Sequence, residues 1–423
     1  MATVIVVLVF VAGYIAIAFE HRFRLDKAAT ALITGVLCWL VYFVQSASPD
    51  ASADALLHHV GSIASILFFL LGAMTIVELI DSHGGFDILT KNIAPKKLST
   101  LVWLISTITF FLSAFLDNLT TAIVMTSLCS KILADKEHRL WFAGLIVIAA
   151  NAGGAWSPLG DVTTTMLWIG GQITAINIIT ATIAPSLVVC LVPTYIITRR
   201  YKKLPFYKKD TEGTENTKEG SVILFTGIGL LLFVPLFKTI THMPPFMGML
   251  LALGIIWAVT AVIHAGKEPE EKIRFSVSNA LQKIDTPSIL FFLGILLAVS
   301  ALEVVGVLQS SALWLQTTLQ NDYIIGISLG VLSALVDNVP LVAAAQGMFS
   351  SSQFATDHAF WQFLALTTGT GGSMIIIGSA AGVAVMGIEH IQFGWYVRKI
   401  GWLAALGFAL GVCMFILQQA VFG

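Results

Sequence analysis

Long apolar stretches recur from one end of the chain to the other, at 1–19, 28–44, 63–80, 221–237, 246–263 and 401–422. Each approaches the roughly 20 residues that a helix needs to cross the hydrocarbon layer of a bilayer. A chain with so many of them is an all-α, multi-pass membrane protein in expectation. The 11% of charged residues agrees, since soluble domains carry roughly a quarter. The run 1–19 has no basic leader and no Ala-x-Ala-like processing site, and positive charge follows it, so it reads as a first span. A net charge of −1 points to no nucleic-acid partner. Cys38, Cys129, Cys190 and Cys413 lie in apolar segments without CxxC spacing and read as small packing residues.

The lysines and arginines sort the chain by side. With ten full crossings plus two hairpins that enter and leave on one side, 20–27, 81–97, 131–139, 199–220, 265–287 and 389–399 face the cytoplasm. They hold all of the 23 basic residues except Lys238. The outer connections, 46–60, 170–174, 308–321 and 350–358, contain no lysine or arginine. Both termini are then expected in the periplasm of a bacterial inner membrane. Were the hairpins complete crossings, the basic segment 199–220 would fall opposite 81–97. Length pulls the other way for 98–115, which is long enough to cross alone, whereas 119–130 and 340–349 are short.

Three landmarks repeat in order at a nearly constant offset. Leu67-Phe68-Phe69-Leu70 answers Leu290-Phe291-Phe292-Leu293, Ser113-Ala114-x-x-Asp117-Asn118 answers Ser333-Ala334-x-x-Asp337-Asn338, and Gly153-Gly154 answers Gly371-Gly372. The reading is a duplication: a first repeat over 1–198, a polar cytoplasmic linker over 199–220 and a second repeat over 221–423. An odd number of crossings per repeat turns the second copy upside down, and such inverted repeats place their substrate near the midplane where the halves meet.

Ionisable groups at bilayer depth usually mark an ion or proton route, which singles out Asp117-Asn118 and Asp337-Asn338 at the hairpin breaks as the expected Na⁺ site. A carboxylate, an amide oxygen and backbone carbonyls freed at a break are hard oxygen ligands of the kind a dehydrated Na⁺ needs. The hydroxyls of Thr120 and Thr121 add to them. A carboxylate removed from water is discharged by either a cation or a proton, so H⁺ and Na⁺ would compete for it. An aspartate at such a break can also serve simply to cap the second arm.

The stretches 151–161 and 369–373 carry paired glycines, with Pro158 in the first. They are expected to interrupt helices where backbone lines a cavity or is buried in protein. Asn151, Ser157, Asp161 and Thr163-Thr164-Thr165 from the first copy, with Thr370, Ser373 and Ser379 from the second, are the candidate ligands facing the hairpins, close packing of small residues being the alternative. Asp161 has Ser379 in its place in the second copy, which favours one proton-carrying site over two. Glu78 and Glu303, near span ends, are possible proton-pathway residues or interfacial carboxylates. His58, His59, His83 and His390 are expected in loops or at span ends. No HExxH, Walker lysine loop or GxSxG is present, and the chain is not expected to be an enzyme or to hold a resident cofactor.

With these residues the chain resembles the NhaD-type sodium/proton antiporters of the ion transporter superfamily over nearly its whole length. The most specific parts are 111–121 (FLSAFLDNLTT), 153–165 (GGAWSPLGDVTTT), 334–340 (ALVDNVP) and 369–382 (GTGGSMIIIGSAAG). The resemblance implies exchange of Na⁺ or Li⁺ for H⁺, useful under alkaline or saline stress. It also implies paired hairpins, a scaffold that forms a homodimer in the lipid bilayer, and an elevator-like movement. A Na⁺-coupled anion or dicarboxylate symporter would share the architecture, but carboxylates at the hairpin tips repel an anion. An intramembrane aspartyl protease needs a Gly-x-Gly-Asp that the chain lacks; Gly160-Asp161 is its nearest approach.

Overall fold

The computed structural model describes residues 2–18, 26–46, 48–86, 95, 97–202, 204–206, 218–349 and 352–422. The linker 199–220 and the stretches 20–27 and 81–97 fall partly outside these, as do Arg22, Arg24, Lys91, Lys96, Lys203, Lys208 and Lys209. Within the described residues the first half supplies α1 (Ala2–Ala18), α2 (Lys27–Gln45), α3 (Pro49–Ser82), α4 (Leu98–Leu116), α5 (Asn118–Ile132), α6 (Lys136–Gly154), α7 (Val162–Ile169) and α8 (Ala175–Arg200). The second half supplies α9 (Lys218–Thr241), α10 (Pro245–Ile263), α11 (Thr286–Val304), α12 (Val307–Leu319), α13 (Asp322–Leu332), α14 (Asn338–Met348), α15 (Ala359–Gly371), α16 (Ala380–Glu389) and α17 (Trp402–Phe422).

Two of the expected outer connections are largely helical. Ser48 caps α3 and Pro49 opens it, an arrangement that starts a helix well, so α3 runs for 34 residues and takes in His58 and His59. Likewise α12 occupies most of 308–321. Cys38, Cys129 and Cys190 are packed inside, but Cys413 is exposed on α17, so the packing role expected of it does not hold.

Both hairpins are re-entrant, and their neighbours show it. At the start of α4, Leu98 N donates to Leu204 O at 3.1 Å; just past the end of α5, Glu137 accepts from Arg200 Nη2 at 2.7 Å. Both ends of the first hairpin therefore lie beside the C-terminal end of α8. In the second hairpin, Tyr323 at the start of α13 meets Phe363 at 5.2 Å, and Phe349, just after α14, meets Phe360 at 4.9 Å. Both of its ends lie beside the start of α15. The length of α4, enough to cross unaided, is spent on an arm that turns back at Asp117.

The helices form two bundles. The scaffold bundle packs α1, α2 and α3 with α9, α10 and α11; Trp39 of α2 ties it together by donating to Leu297 O at 3.0 Å and Ser300 Oγ at 3.2 Å on α11. The hairpin bundle gathers α4–α8 and α13–α17, with the halves interlocked: α16 lies against α5, and α7 against α14 and α15. Proline inside α8 frees a carbonyl that cannot be satisfied within the helix, and Gln418 Nε2 of α17 takes it up at Ala181 O, 3.2 Å away. Many of the exposed Leu, Ile, Val and Phe side chains lie on membrane-length helices such as α2, α9 and α10, the pattern for a lipid solvent.

Candidate ion-binding site

The two copies share one way of closing a hairpin onto a broken helix. Ser113 Oγ donates to Ala150 O at 2.6 Å, and Ser333 Oγ donates to Thr368 O at 2.7 Å. A side chain on Gly153 would collide with the Phe110 carbonyl, and one on Gly371 with the Gly330 carbonyl. Gly153 and Gly371 therefore let α6 and α15 touch the backbone of the hairpin arms, while Gly154 and Gly372 press on the carbonyls of Gly160 and Gly378 beyond the breaks. Beyond the glycines each helix breaks. Asp161 caps α7 by accepting from Thr163 N at 3.1 Å, and Ser379 caps α16 by accepting from Gly382 N at 3.2 Å.

Four breaks thus meet, and the side chains at the meeting point form one network. Asn118 Nδ2 donates to Asp161 Oδ2 at 3.1 Å and to Asn151 Oδ1 at 3.0 Å. Asn338 Nδ2 approaches the same carboxylate from the other hairpin, at 3.3 Å from Oδ2 and 3.4 Å from Oδ1. Asn151 Nδ2 donates to Ser373 Oγ and Ser379 Oγ, each at 2.9 Å. Asp161 is only 1% exposed. Among the described residues its hydrogen-bond partners are two amides and a backbone N–H, and none is cationic. The position in the second copy that answers Asn151 is Gly369, where a methyl group would sit 3.3 Å from Asp161 Oδ2. The lone carboxylate fills the room that a second asparagine would need.

Asp117 and Asp337 flank this centre rather than enter it. Asp117 turns its oxygens onto its own arm, accepting from Thr120 N at 2.8 Å and Thr120 Oγ1 at 2.9 Å, with its backbone at φ 74°, a region that costs a non-glycine residue strain and is met mostly at functional sites. Beside it lie Phe69, Leu70, Ala73 and Met74 of the scaffold. Asp337 accepts from Val339 N at 3.1 Å with ordinary backbone. Both stand within electrostatic reach of Asp161.

Of the other expected ligands, Ser157 donates to Ala114 O at 2.6 Å and Thr370 to Leu366 O at 2.6 Å, so each hydroxyl proton is committed to backbone while the oxygen keeps its acceptor lone pairs. The Thr121 hydroxyl is buried with no hydrogen-bond partner among the described residues. Glu78 is away from the centre, accepting from Ser82 Oγ at 2.9 Å and paired with Lys283 at 3.4 Å. Glu303 lies in the scaffold against Gly347, within electrostatic reach of His59. Lys27, one of the basic residues that mark the cytoplasmic side, has its ammonium 5.3 Å from the Phe291 ring and within electrostatic reach of Asp337. No local signal marks it, because the acid it faces belongs to the other half of the chain.

A family model described as citrate transporter matches residues 14–371. Sodium/proton antiporter 1 of Arabidopsis thaliana is 45% identical over 97% of this chain and 71% of that protein. Sodium/proton antiporter 2 of the same plant is 42% identical over 97% of this chain and 98% of that protein. The Na⁺/H⁺ antiporter NhaD of Alkalimonas amylolytica is 30% identical, covering 94% of this chain and 88% of that one. The chain belongs to the NhaD-type sodium/proton antiporters. Its fold is also that of the Alcanivorax borkumensis YdaH transporter, whose crystal structure matches with a TM-score of 0.62 at 12% identity over 94% of this chain and 99% of that one. In this NhaD-type chain the stretches 111–121, 153–165, 334–340 and 369–382, far apart in sequence, supply the Asp161 network together with Asn151.

Proposed function

We propose that the protein exchanges cytoplasmic Na⁺, and Li⁺, for external H⁺, with the two cations competing for Asp161. The observation that carries this reading is a buried carboxylate that receives the asparagines of both hairpins and has no cationic partner in its hydrogen-bond set. An uncompensated carboxylate in a low-dielectric interior is costly, and either H⁺ or an alkali cation relieves the cost. Around it stand further hard oxygens on Asn151, Ser373 and Ser379, the ligand type a small alkali cation takes. Asp117 and Asp337 add negative potential from the flanks, which draws in a cation and repels a dicarboxylate. That separates this reading from the Na⁺-coupled dicarboxylate symport that the citrate transporter description would suggest.

The face rich in lysine and arginine is taken as cytoplasmic, with both termini in the periplasm of a bacterial inner membrane. The repeats run over 1–198 and 221–423, joined by the cytoplasmic linker 199–220. The protein works as a homodimer in the bilayer, carries its ions without a resident cofactor, performs no covalent chemistry, and supports salt and alkali tolerance.

The deciding experiment reconstitutes the protein in liposomes holding a pH gradient reported by a quenched dye, and offers Na⁺, Li⁺, K⁺ and a dicarboxylate in turn. Na⁺ and Li⁺ dissipate the gradient and the dicarboxylate does not. Sodium-dependent dicarboxylate uptake without proton movement would overturn the reading.

A further inference from the structure

Lys238 is the one basic residue that the charge count leaves on the outer side, and topology gives no reason for it. It lies in the last turn of α9, in the scaffold. Its ammonium is 2.7 Å from the Trp168 carbonyl oxygen and 4.7 Å from the centroid of the Trp168 ring. That ring is 1% exposed and also meets Phe69 of α3 edge-on at 6.2 Å. The last turn of α7 is therefore seated between two scaffold helices. Met166 O, in the same turn, accepts from Gln346 Nε2 of the second hairpin at 3.1 Å.

What lies at the other end of α7 gives the contact its meaning. The helix has eight residues, about 12 Å at 1.5 Å per residue, and Asp161 is its cap. So short a helix behaves as a strut: a shift where Lys238 holds it is passed to the carboxylate. An ammonium facing the carbonyl end of a helix also complements the helix dipole, so charge and geometry favour the same seat. A half-buried lysine near the membrane is expensive unless it is paired, and the charge count assigns every other basic residue to the opposite side.

We propose that Lys238 is a positioning residue for cation binding: its grip on the Trp168 carbonyl sets where α7 holds Asp161 against Asn118 and Asn338. The proposal rests on the reading of Asp161 as the exchange site. It is tested on the full-length protein with two readouts. One is Na⁺-driven proton movement in liposomes; the other is the rise in thermal midpoint with added Na⁺ in detergent, which needs no transport. Residues that orient a ligand from behind typically change affinity by about 10–100-fold when lost, so Lys238→Met is expected to raise the half-saturating Na⁺ at least about tenfold in both readouts, with maximal rate per folded transporter changed less than about twofold. Lys238→Arg, which keeps a cation within reach of the carbonyl, restores most of the affinity.

The proposal is overturned if Lys238→Met lowers yield or maximal rate but leaves half-saturating Na⁺ where it was, the mark of a merely structural contact. Should Lys238→Met not fold, Lys238→Gln, which keeps an N–H donor without the charge, is judged by the same criterion. Wild-type protein that is stabilised by Na⁺ but moves no protons would sink the exchange reading alone, because the thermal readout still decides the role of Lys238.

Discussion

His83 Nε2 lies 2.9 Å from His264 Nε2, joining the end of α3 to the end of α10 through one shared proton. His83 Nδ1 is 2.6 Å from Leu79 O; a carbonyl only accepts, so that nitrogen carries hydrogen and Nε2 of the neutral ring is the lone pair. His264 Nε2 must then be the donor, which leaves His264 Nδ1 bare, buried and without a partner among the described residues. Phe275 stacks on His264 at 5.2 Å with the planes 11° apart, so the short helix Pro269–Arg274 is pinned beside the pair.

A further proton has no acceptor to point at. Burial is the main cause that lowers both rings below the ordinary histidine value of 6.5, and Lys267 pushes the same way. Glu219 opposes this at both rings and Glu271 at His264. Lys272 lines the cleft alongside, and Arg274 lies 5.3 Å from the Phe275 ring. A group whose bound value is lowered stabilises the closed arrangement above its free value and weakens it as pH falls below that point. The contact is thus expected at full strength above about pH 6.5 and weaker in acid. Amide exchange over 265–276, corrected for its intrinsic rate, should lose protection between neutral and acidic pH, and His264→Phe should remove the dependence. Equal protection at both pH values in the wild type would refute it.

Substituting the three carboxylates separates charge from capping. Asparagine caps a helix about as well as aspartate, so Asp117→Asn and Asp337→Asn remove a charge while keeping the bonds to Thr120 N and Val339 N. Both should weaken Na⁺ binding at an unchanged thermal midpoint. Asp161→Asn should abolish Na⁺-driven proton release, since nothing else in the network can take up a proton, whereas Ser379→Ala should retain exchange with the wild-type pH profile. Wild-type rates in Asp161→Asn would remove the centre of the proposed site.

How much of this was open to reading differs from element to element. The hairpins were legible because basic residues report topology, and the duplication because Ser-Ala-x-x-Asp-Asn occurs twice in register. Which carboxylate stands at the centre was not. Asp117 and Asp161 both follow a break. Only the backbone at φ 74° turns Asp117 onto its own arm, and only the interlocking of the halves brings Asn338 to Asp161. Side-chain direction at a break depends on dihedrals, and its partners on packing between distant segments; neither has a local signature. Lys27 and Lys238 were hidden likewise, since a lysine explained by topology, or excepted from it, shows no partner in sequence.

The glycine contacts predict a matched pair of effects. Gly153→Ala and Gly371→Ala each force a methyl group into a carbonyl of the adjoining hairpin arm, and overpacking of this kind costs roughly 1–3 kcal/mol. Thermal unfolding in detergent should show a similar drop for both, because the two contacts are copies of one another. Gly254→Ala, inside α10 where a methyl group meets nothing within 4 Å, is the control and should hold the midpoint or raise it, since alanine is the better helix former. A drop for one glycine alone would mean that the two hairpin seats are not equivalent.

Arg139 and Glu389 fasten the halves together at the ends of α6 and α16. Arg139 Nε donates to Glu389 Oε2 at 3.1 Å, and Arg139 Nη1 donates to Leu133 O at 3.3 Å and Ala134 O at 3.1 Å, just past the last turn of α5. One guanidinium thus holds the first hairpin, the first broken helix and the second half at once. The Glu389 side chain is 5% exposed, so Arg139→Met strands a buried charge, at a cost of about 3–5 kcal/mol. Most of that cost is the uncompensated carboxylate rather than the lost attraction, so adding Glu389→Gln to Arg139→Met should recover a large part of it. Comparing thermal midpoints of the two single variants and the double measures the coupling directly. If the double variant is as unstable as the sum of the singles, the pair does not act as a unit, and the bonds to the Leu133 and Ala134 carbonyls carry the contact instead.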